Sequence, residues 1–296
     1  MNLRTQMPLG VTAVMLPELD FDEQVALCKQ LNITHYVYRP RVVPDNQKND
    51  AYTNWGNHKF DLTPDKLVEQ GAELRKKLQA AGLQGYCTVA RLNADETDDM
   101  LTVHLRGAAA GGCQSIRIGP PAYPSDKLFD FPAYLEQAIG HYRRCCDLAE
   151  PYGLKVVIEM HAGNSAASPG LARHIVESFD PSELGVILDL PNFVREGFVQ
   201  PTLTVSVLGK WVDHVHLGGN RQVAGEYDEL GFRKPGTQMC PLTETGLYVP
   251  AWIDAIAQLE REVPLIIEDY TPALPGALRL RNTADAITRL LDSKSA

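Results

Sequence analysis

The feature that most constrains this chain is a regular alternation. Eight short runs rich in β-branched and aliphatic residues, at 10–14, 34–39, 85–90, 115–119, 155–161, 185–190, 213–217 and 265–269, are separated by stretches with helical periodicity. In "TPDKLVEQGAELRKKLQAAG", Thr63 caps, Pro64 suits the first turn, Leu67, Leu74 and Leu78 recur at helical spacing, and Gly82 stops the helix. "DFPAYLEQAIGHYRRCCDLAEPYG" and "VPAWIDAIAQLEREV" read the same way. Strict strand and helix alternation specifies a parallel sheet, and eight units suffice to close it. The sequence therefore predicts an α/β protein, a single (β/α)8 TIM barrel spanning 1–296 as one domain. An open doubly wound sheet is the alternative, but no G-x-G-x-x-G or G-x-x-x-x-G-K-[ST] follows any strand, so its dinucleotide and P-loop versions lose support.

Composition narrows the partners. An apolar fraction of 44% and a charged fraction of 22% are those of an ordinary globular protein. The formal charge of −9 argues against affinity won by neutralising nucleic-acid phosphates. No apolar stretch approaches the roughly 20 residues that span a bilayer. The expected partner is a small molecule, with neither nucleic acid nor membrane. "MNLRTQMPLG" lacks the features of a secretory signal, so a cytoplasmic location is expected and "NIT" at Asn32 carries no glycosylation meaning. The six cysteines form no C-x-x-C pair and read as free thiols.

In a barrel of this kind, chemistry gathers at the C-terminal ends of the strands. There the fifth strand carries Glu159 ("VVIEMH"), the sixth Asp189 ("VILDLPN"), the seventh His216 ("DHVHLGG") and the eighth Glu268 ("LIIEDY"). Three acids and one imidazole suit Mn²⁺, Mg²⁺ or Co²⁺ with open positions better than a closed structural zinc site. A cation also removes the cost of burying unpaired carboxylates. The competing reading, that each acid merely caps a helix, is weakened by their occurrence at four successive strand ends.

The segments "IEMH", "LDLPN", "HVHLGGNR" and "IIEDY" resemble the metal set of the xylose isomerase-like barrels. That family includes ketose 3-epimerases, inosose dehydratases and isomerases, and zinc-containing apurinic endonucleases, and the resemblance covers essentially the whole chain. It implies one divalent metal, Mn²⁺ first and Mg²⁺ or Co²⁺ as alternatives, on Glu159, Asp189, His216 and Glu268. His216 rather than His214 ligates, and Glu159 and Glu268 double as acid and base. Asn192 stands where ketose epimerases carry a substrate-contacting histidine. Arg221 resembles the substrate arginine of their H-x-G-x-x-N-R pattern, in a segment one residue shorter.

Other candidates rest on position. His161 shares the inward face with Glu159 and is a candidate substrate contact or a structural histidine. Segment 42–60, with Trp55 and His58, is long for a connection and is expected to be an active-site lid, a surface excursion or a contact in a homo-oligomer. Arg39, Arg91 and Arg117 sit near the ends of the second, third and fourth strands, opposite the metal half. They either form an anion site or pair with acids such as Asp61, Asp95 and Glu96.

The expected activity is a metal-dependent isomerase or epimerase acting on a keto-sugar or sugar derivative through an enediolate stabilised by the metal. The two glutamates move the proton. A lyase of the same fold, a keto-polyol dehydratase or keto-sugar-acid decarboxylase, is the alternative. A zinc endonuclease would need more ligands and a basic groove. A non-catalytic sugar-binding barrel would not need an intact quartet.

Overall fold

The computed structural model describes residues 2–197, 199–272 and 274–295. All eight apolar runs become parallel strands, since runs buried on both faces can satisfy their backbone groups only by pairing with one another. They are β1 (Leu9–Thr12), β2 (His35–Tyr38), β3 (Gln84–Asn93), β4 (Ser115–Gly119), β5 (Lys155–Glu159), β6 (Leu184–Asp189), β7 (Val212–Leu217) and, after two further strands, β10 (Leu265–Ile267). The barrel closes in the order β1-β10-β7-β6-β5-β4-β3-β2, confirming the (β/α)8 TIM barrel.

The helices follow their local signals. Thr63 accepts from the Lys66 amide to cap Pro64–Ala80, and Gly82 takes a left-handed φ of 81° just past its end. Phe131–Ala149 and Val249–Ala257 occupy the other two predicted stretches. Among the described residues no helix is long and apolar enough to cross a membrane. All six cysteines are free and buried.

Strand ends differ from the expectation. The first strand stops at Thr12, where Ala13–Met15 form a 3₁₀ turn, and the fifth stops at Glu159, because the His161 amide turns back onto the Glu159 carbonyl at 2.9 Å. His161 therefore leaves the strand instead of continuing its inward face. Between β7 and β10 the chain inserts an antiparallel hairpin, β8 (Gly219–Tyr227) and β9 (Arg233–Cys240). The Asp228 carboxylate shapes its turn by accepting from the Leu230 and Phe232 amides at 3.0 and 2.8 Å. Leu230 and Phe232 are 82% and 70% exposed, so the hairpin has no buried face to impress a strand pattern on the sequence.

The interior sets up the site. Val37, Tyr86, Cys87, Val157, Ile187 and Ile266 pack together inside the barrel, with Val89 against them. Side chains two residues further along a strand face the same way. From Val37, Val89, Val157, Ile187 and Ile266 this rule gives Arg39, Arg91, Glu159, Asp189 and Glu268. Register adds Arg117, level with Val157, and His216, two beyond the His214 that pairs with Ile187. The mouth end of the barrel thus carries Arg39, Arg91 and Arg117 on or just past β2–β4, with Arg117 level with Val89 and Val157 and so two residues deeper than Arg91 and Glu159, and the metal-competent groups from β5 round to β10.

Candidate metal centre

Glu159, Asp189, His216 and Glu268 are all buried, and each offers a donor atom so that all four atoms lie within 4.8 Å of one another. His216 Nδ1 is the hub, 3.1 Å from Glu159 Oε1, 3.4 Å from Glu268 Oε2 and 3.6 Å from Asp189 Oδ2. Asp189 also caps the helix Leu190–Glu196, its Oδ1 accepting from the Asn192 amide at 2.9 Å. The cap and the metal-competent residue are one side chain, with one oxygen for each task. Gly218 permits the tight packing beside Glu268, since a Cβ there would lie 2.2 Å from the Glu268 carbonyl oxygen.

The charges are out of balance in a way that a cation would correct. Burial, reinforced by Glu159 and Asp189 against the opposing pull of His216, pushes the Glu268 carboxyl up to about 8. Burial and neighbouring Glu159 also raise Asp189. His216 is held well above the usual imidazole range because its three carboxylate neighbours outweigh burial. Glu159 behaves oppositely: burial works against its charge, but Arg117, with Nη2 at 2.6 Å from Oε2, and His216 keep its carboxyl well below the ordinary value. Three carboxylates and an imidazole nitrogen, short of positive charge, fit a divalent ion of the Mn²⁺ or Mg²⁺ type.

A hydrogen-bond chain behind His216 fixes its ring. His216 Nε2 meets His214 Nε2 at 3.2 Å, and His214 Nδ1 meets Asp213 Oδ1 at 2.8 Å. Asp213 is held in turn by Lys155 at 2.8 Å and by the Tyr86 hydroxyl at 2.9 Å. An ionised Asp213 can only accept, so His214 donates from Nδ1 and accepts at Nε2, and His216 donates from Nε2, which leaves Nδ1 turned to the carboxylates: it donates to Glu159 at 3.1 Å while protonated and offers its lone pair once that proton leaves. His214 thus stands directly behind His216.

The remaining candidates divide. Asn192 is buried, and its Oδ1 accepts from the Ala162 amide at 3.2 Å, tying the ends of β5 and β6 together. His161 is half-buried and donates from Nδ1 to the Ala162 carbonyl at 2.8 Å. Arg221 lies on β8 and binds Glu244 at 2.9 Å and Gln238 at 3.1 Å, with no described contact to the quartet. Trp55 packs against Tyr270, ring centroids 4.9 Å apart, and Arg39 meets His58 Nε2 at 2.5 Å, so segment 42–60 touches the mouth. Arg117 belongs with Glu159 and the Ala90 carbonyl, so it is not open to an anion as expected. Sequence reasoning missed Arg117's clamp on Glu159, the Tyr86–Asp213–Lys155 group and Tyr270. Only "DHVH", with its Asp beside the two histidines, carried a local signal.

The sequence model of a xylose isomerase-like TIM barrel matches residues 47–290. The chain belongs to the xylose isomerase-like TIM barrel family. No curated protein matches it in sequence. Among solved structures it resembles a xylose isomerase-like TIM barrel protein from Mycobacterium smegmatis in complex with magnesium, at a TM-score of 0.67 and 16% identity over 100% of each chain. It also resembles an L-ribulose 3-epimerase, at a TM-score of 0.70 and 10% identity, with 97% of this chain and 95% of that one covered. A third likeness is to the probable 3-DHS dehydratase AsbF from Bacillus anthracis, at a TM-score of 0.69 and 13% identity over 95% and 99%. At these identities the likeness is one of fold, and within this family the closed barrel and quartet stand as described.

Proposed function

We propose that this protein is a divalent-metal-dependent isomerase or epimerase of keto-sugars or sugar derivatives, with Mn²⁺ as the working ion and Mg²⁺ or Co²⁺ able to replace it. The convergence of Glu159, Asp189, His216 and Glu268 within 4.8 Å carries this reading. Bound there, the ion supplies Lewis-acid stabilisation of negative charge developing on substrate oxygens.

The chain's own residues divide the remaining work. Glu268 and Glu159 reach in from strands separated by β6 and β7, so they approach a substrate from two sides. Glu268, with no arginine on its carboxylate, takes the proton from the carbon beside the carbonyl and leaves an enediolate. Glu159, oriented by Arg117 on its other oxygen, draws a proton from solvent and passes it to the enediolate, while Glu268 releases the proton it abstracted to solvent. Proton return to the opposite face gives an epimer; return to the neighbouring carbon gives an isomer. His161 and Asn192, beside Glu159 and Asp189, are the proposed hydroxyl contacts. Segment 42–60 acts as a lid that keeps water out through Trp55 against Tyr270. A lyase expelling a β-hydroxyl from the same enediolate is the second reading, favoured by the likeness to a probable dehydratase.

Elemental analysis is expected to find one divalent ion per chain, and keto-sugars incubated with the protein in D₂O to gain deuterium beside the carbonyl until chelator is added. Full exchange by metal-free protein would overturn the reading. A second test concerns the hydrogen-bond chain. Asp213→Asn is expected to weaken metal binding by roughly 10- to 100-fold through loss of ring orientation at His216, measured by titration calorimetry. Wild-type affinity in that variant would show that Asp213 supports the barrel and not the ligand.

A further inference from the structure

The arginines on the far side of the mouth are not explained by proton transfer. Arg39 and Arg91 stand two residues beyond Val37 and Val89 of the barrel interior, Arg39 just past the end of β2 and Arg91 exposed near the end of β3. Arg41 follows Arg39 in the chain. Among the described residues, none of these three forms an ion pair. The acids expected to pair with them do otherwise: Asp61 binds Lys66 at 2.5 Å, and neither Asp95 nor Glu96 reaches them. Arg39's one hydrogen-bond contact runs to His58 Nε2, which also lies 3.1 Å from the Asn54 carbonyl and can serve only one of the two, accepting from Arg39 or donating to Asn54.

We propose that Arg39, Arg41 and Arg91 form a subsite for an anionic group, carboxylate or phosphate, on the substrate at the end remote from its reacting carbonyl. This deepens the isomerase reading and rests on the quartet being the metal centre. Arg39 is half-buried over Trp55, its guanidinium carbon 5.9 Å from the ring centroid, and Trp55 packs at a tilt of 48° against Tyr270, two residues past Glu268. The aromatic pair therefore bridges the arginine side of the mouth and the quartet. Arg39 is the most enclosed of the three, and Arg41 and Arg91 stand close enough to repel it in a chain that is otherwise acidic by nine charges. Burial, with repulsion from Arg41 and Arg91, lowers Arg39 to about 10, the response expected of cations awaiting an anion. Guanidinium forks match carboxylate and phosphate oxygens in bidentate geometry, and a neutral hydroxyl would leave all three charges uncompensated.

The subsite makes the substrate a keto-sugar acid or a keto-sugar phosphate. The Mn²⁺-loaded protein is tested in two arms. In the first, inorganic phosphate and malonate are compared with chloride at matched ionic strength. Either anion is expected to raise the melting temperature of the wild type, and to do so less in Arg91→Met and Arg39→Met. In the second, deuterium exchange is followed on neutral ketoses, their terminal phosphates and the corresponding keto acids. The anionic set is expected to react at lower KM, the preferred member showing whether phosphate or carboxylate is bound. Arg91→Met is expected to raise that KM by roughly tenfold or more with kcat little changed. No thermal response to either anion, or neutral ketoses handled as well as anionic ones, overturns the subsite. Exchange that survives chelator would instead overturn the metal reading and leave the thermal arm standing.

Discussion

Glu268→Gln is expected to lower deuterium incorporation into substrate by roughly 10²- to 10⁴-fold, and excess Mn²⁺ is expected not to restore it. The amide keeps the shape and one oxygen for the ion but cannot accept a proton. Asp189→Asn serves as the contrast: its loss acts through metal affinity and is expected to recover as Mn²⁺ is raised. Glu159→Gln is expected to lose exchange as well and to melt at a lower temperature, since it leaves the half-buried Arg117 without the carboxylate it binds at 2.6 Å. Wild-type exchange in Glu268→Gln would end its role as base. Rescue of that variant by excess metal would reduce Glu268 to a ligand alone.

Metal binding is expected to release protons at neutral pH. Without the ion, Glu268, raised to about 8, is protonated at pH 7, and His216, held well above its ordinary value, carries a second proton. Both must leave for a carboxylate and a bare imidazole nitrogen to face a cation. Apparent affinity is therefore expected to climb by roughly tenfold or more per pH unit, and the part due to Glu268 to level off as pH passes about 8. The sign is set by the raised values; a lowered Glu268 would have moved the dependence into the acid range. Calorimetry of Mn²⁺ binding in buffers of different ionisation enthalpy measures the protons directly. Binding with no proton release between pH 6 and 8 would contradict the charge arrangement of the quartet.

Much of this site was legible in the sequence because a barrel converts strand order into angular position. Glu159, Asp189, His216 and Glu268 each end an interior-facing strand, so four separate local patterns predicted one spatial cluster. What stayed hidden depends on contacts between distant segments. The Tyr86 hydroxyl reaches Asp213 across 127 positions of sequence. For Arg117 the sequence offers an anion site or a pairing with acids such as Asp61, Asp95 and Glu96, and only the placing of β4 beside β5 brings it to Glu159. His161 was misplaced because an apolar run does not reveal where a tight turn at Glu159 ends it. The hairpin after β7 went unseen for a different reason: its large side chains face solvent, and periodicity records only faces that are buried.

The division of the mouth into a β2–β4 arc and an arc from β5 round to β10 bears on how such a protein changes over evolutionary time. On the proposed reading, residues that grip the distant end of a ligand and residues that act on its carbonyl lie on different βα units. Substitutions on one arc then combine with those on the other nearly additively wherever no contact joins them. Arg117 is the exception, because it stands on the first arc and holds Glu159 on the second. A lineage could therefore exchange Arg39 or Arg91 and acquire a new ligand while retaining its reaction, but the same change at Arg117 would disturb the reaction itself.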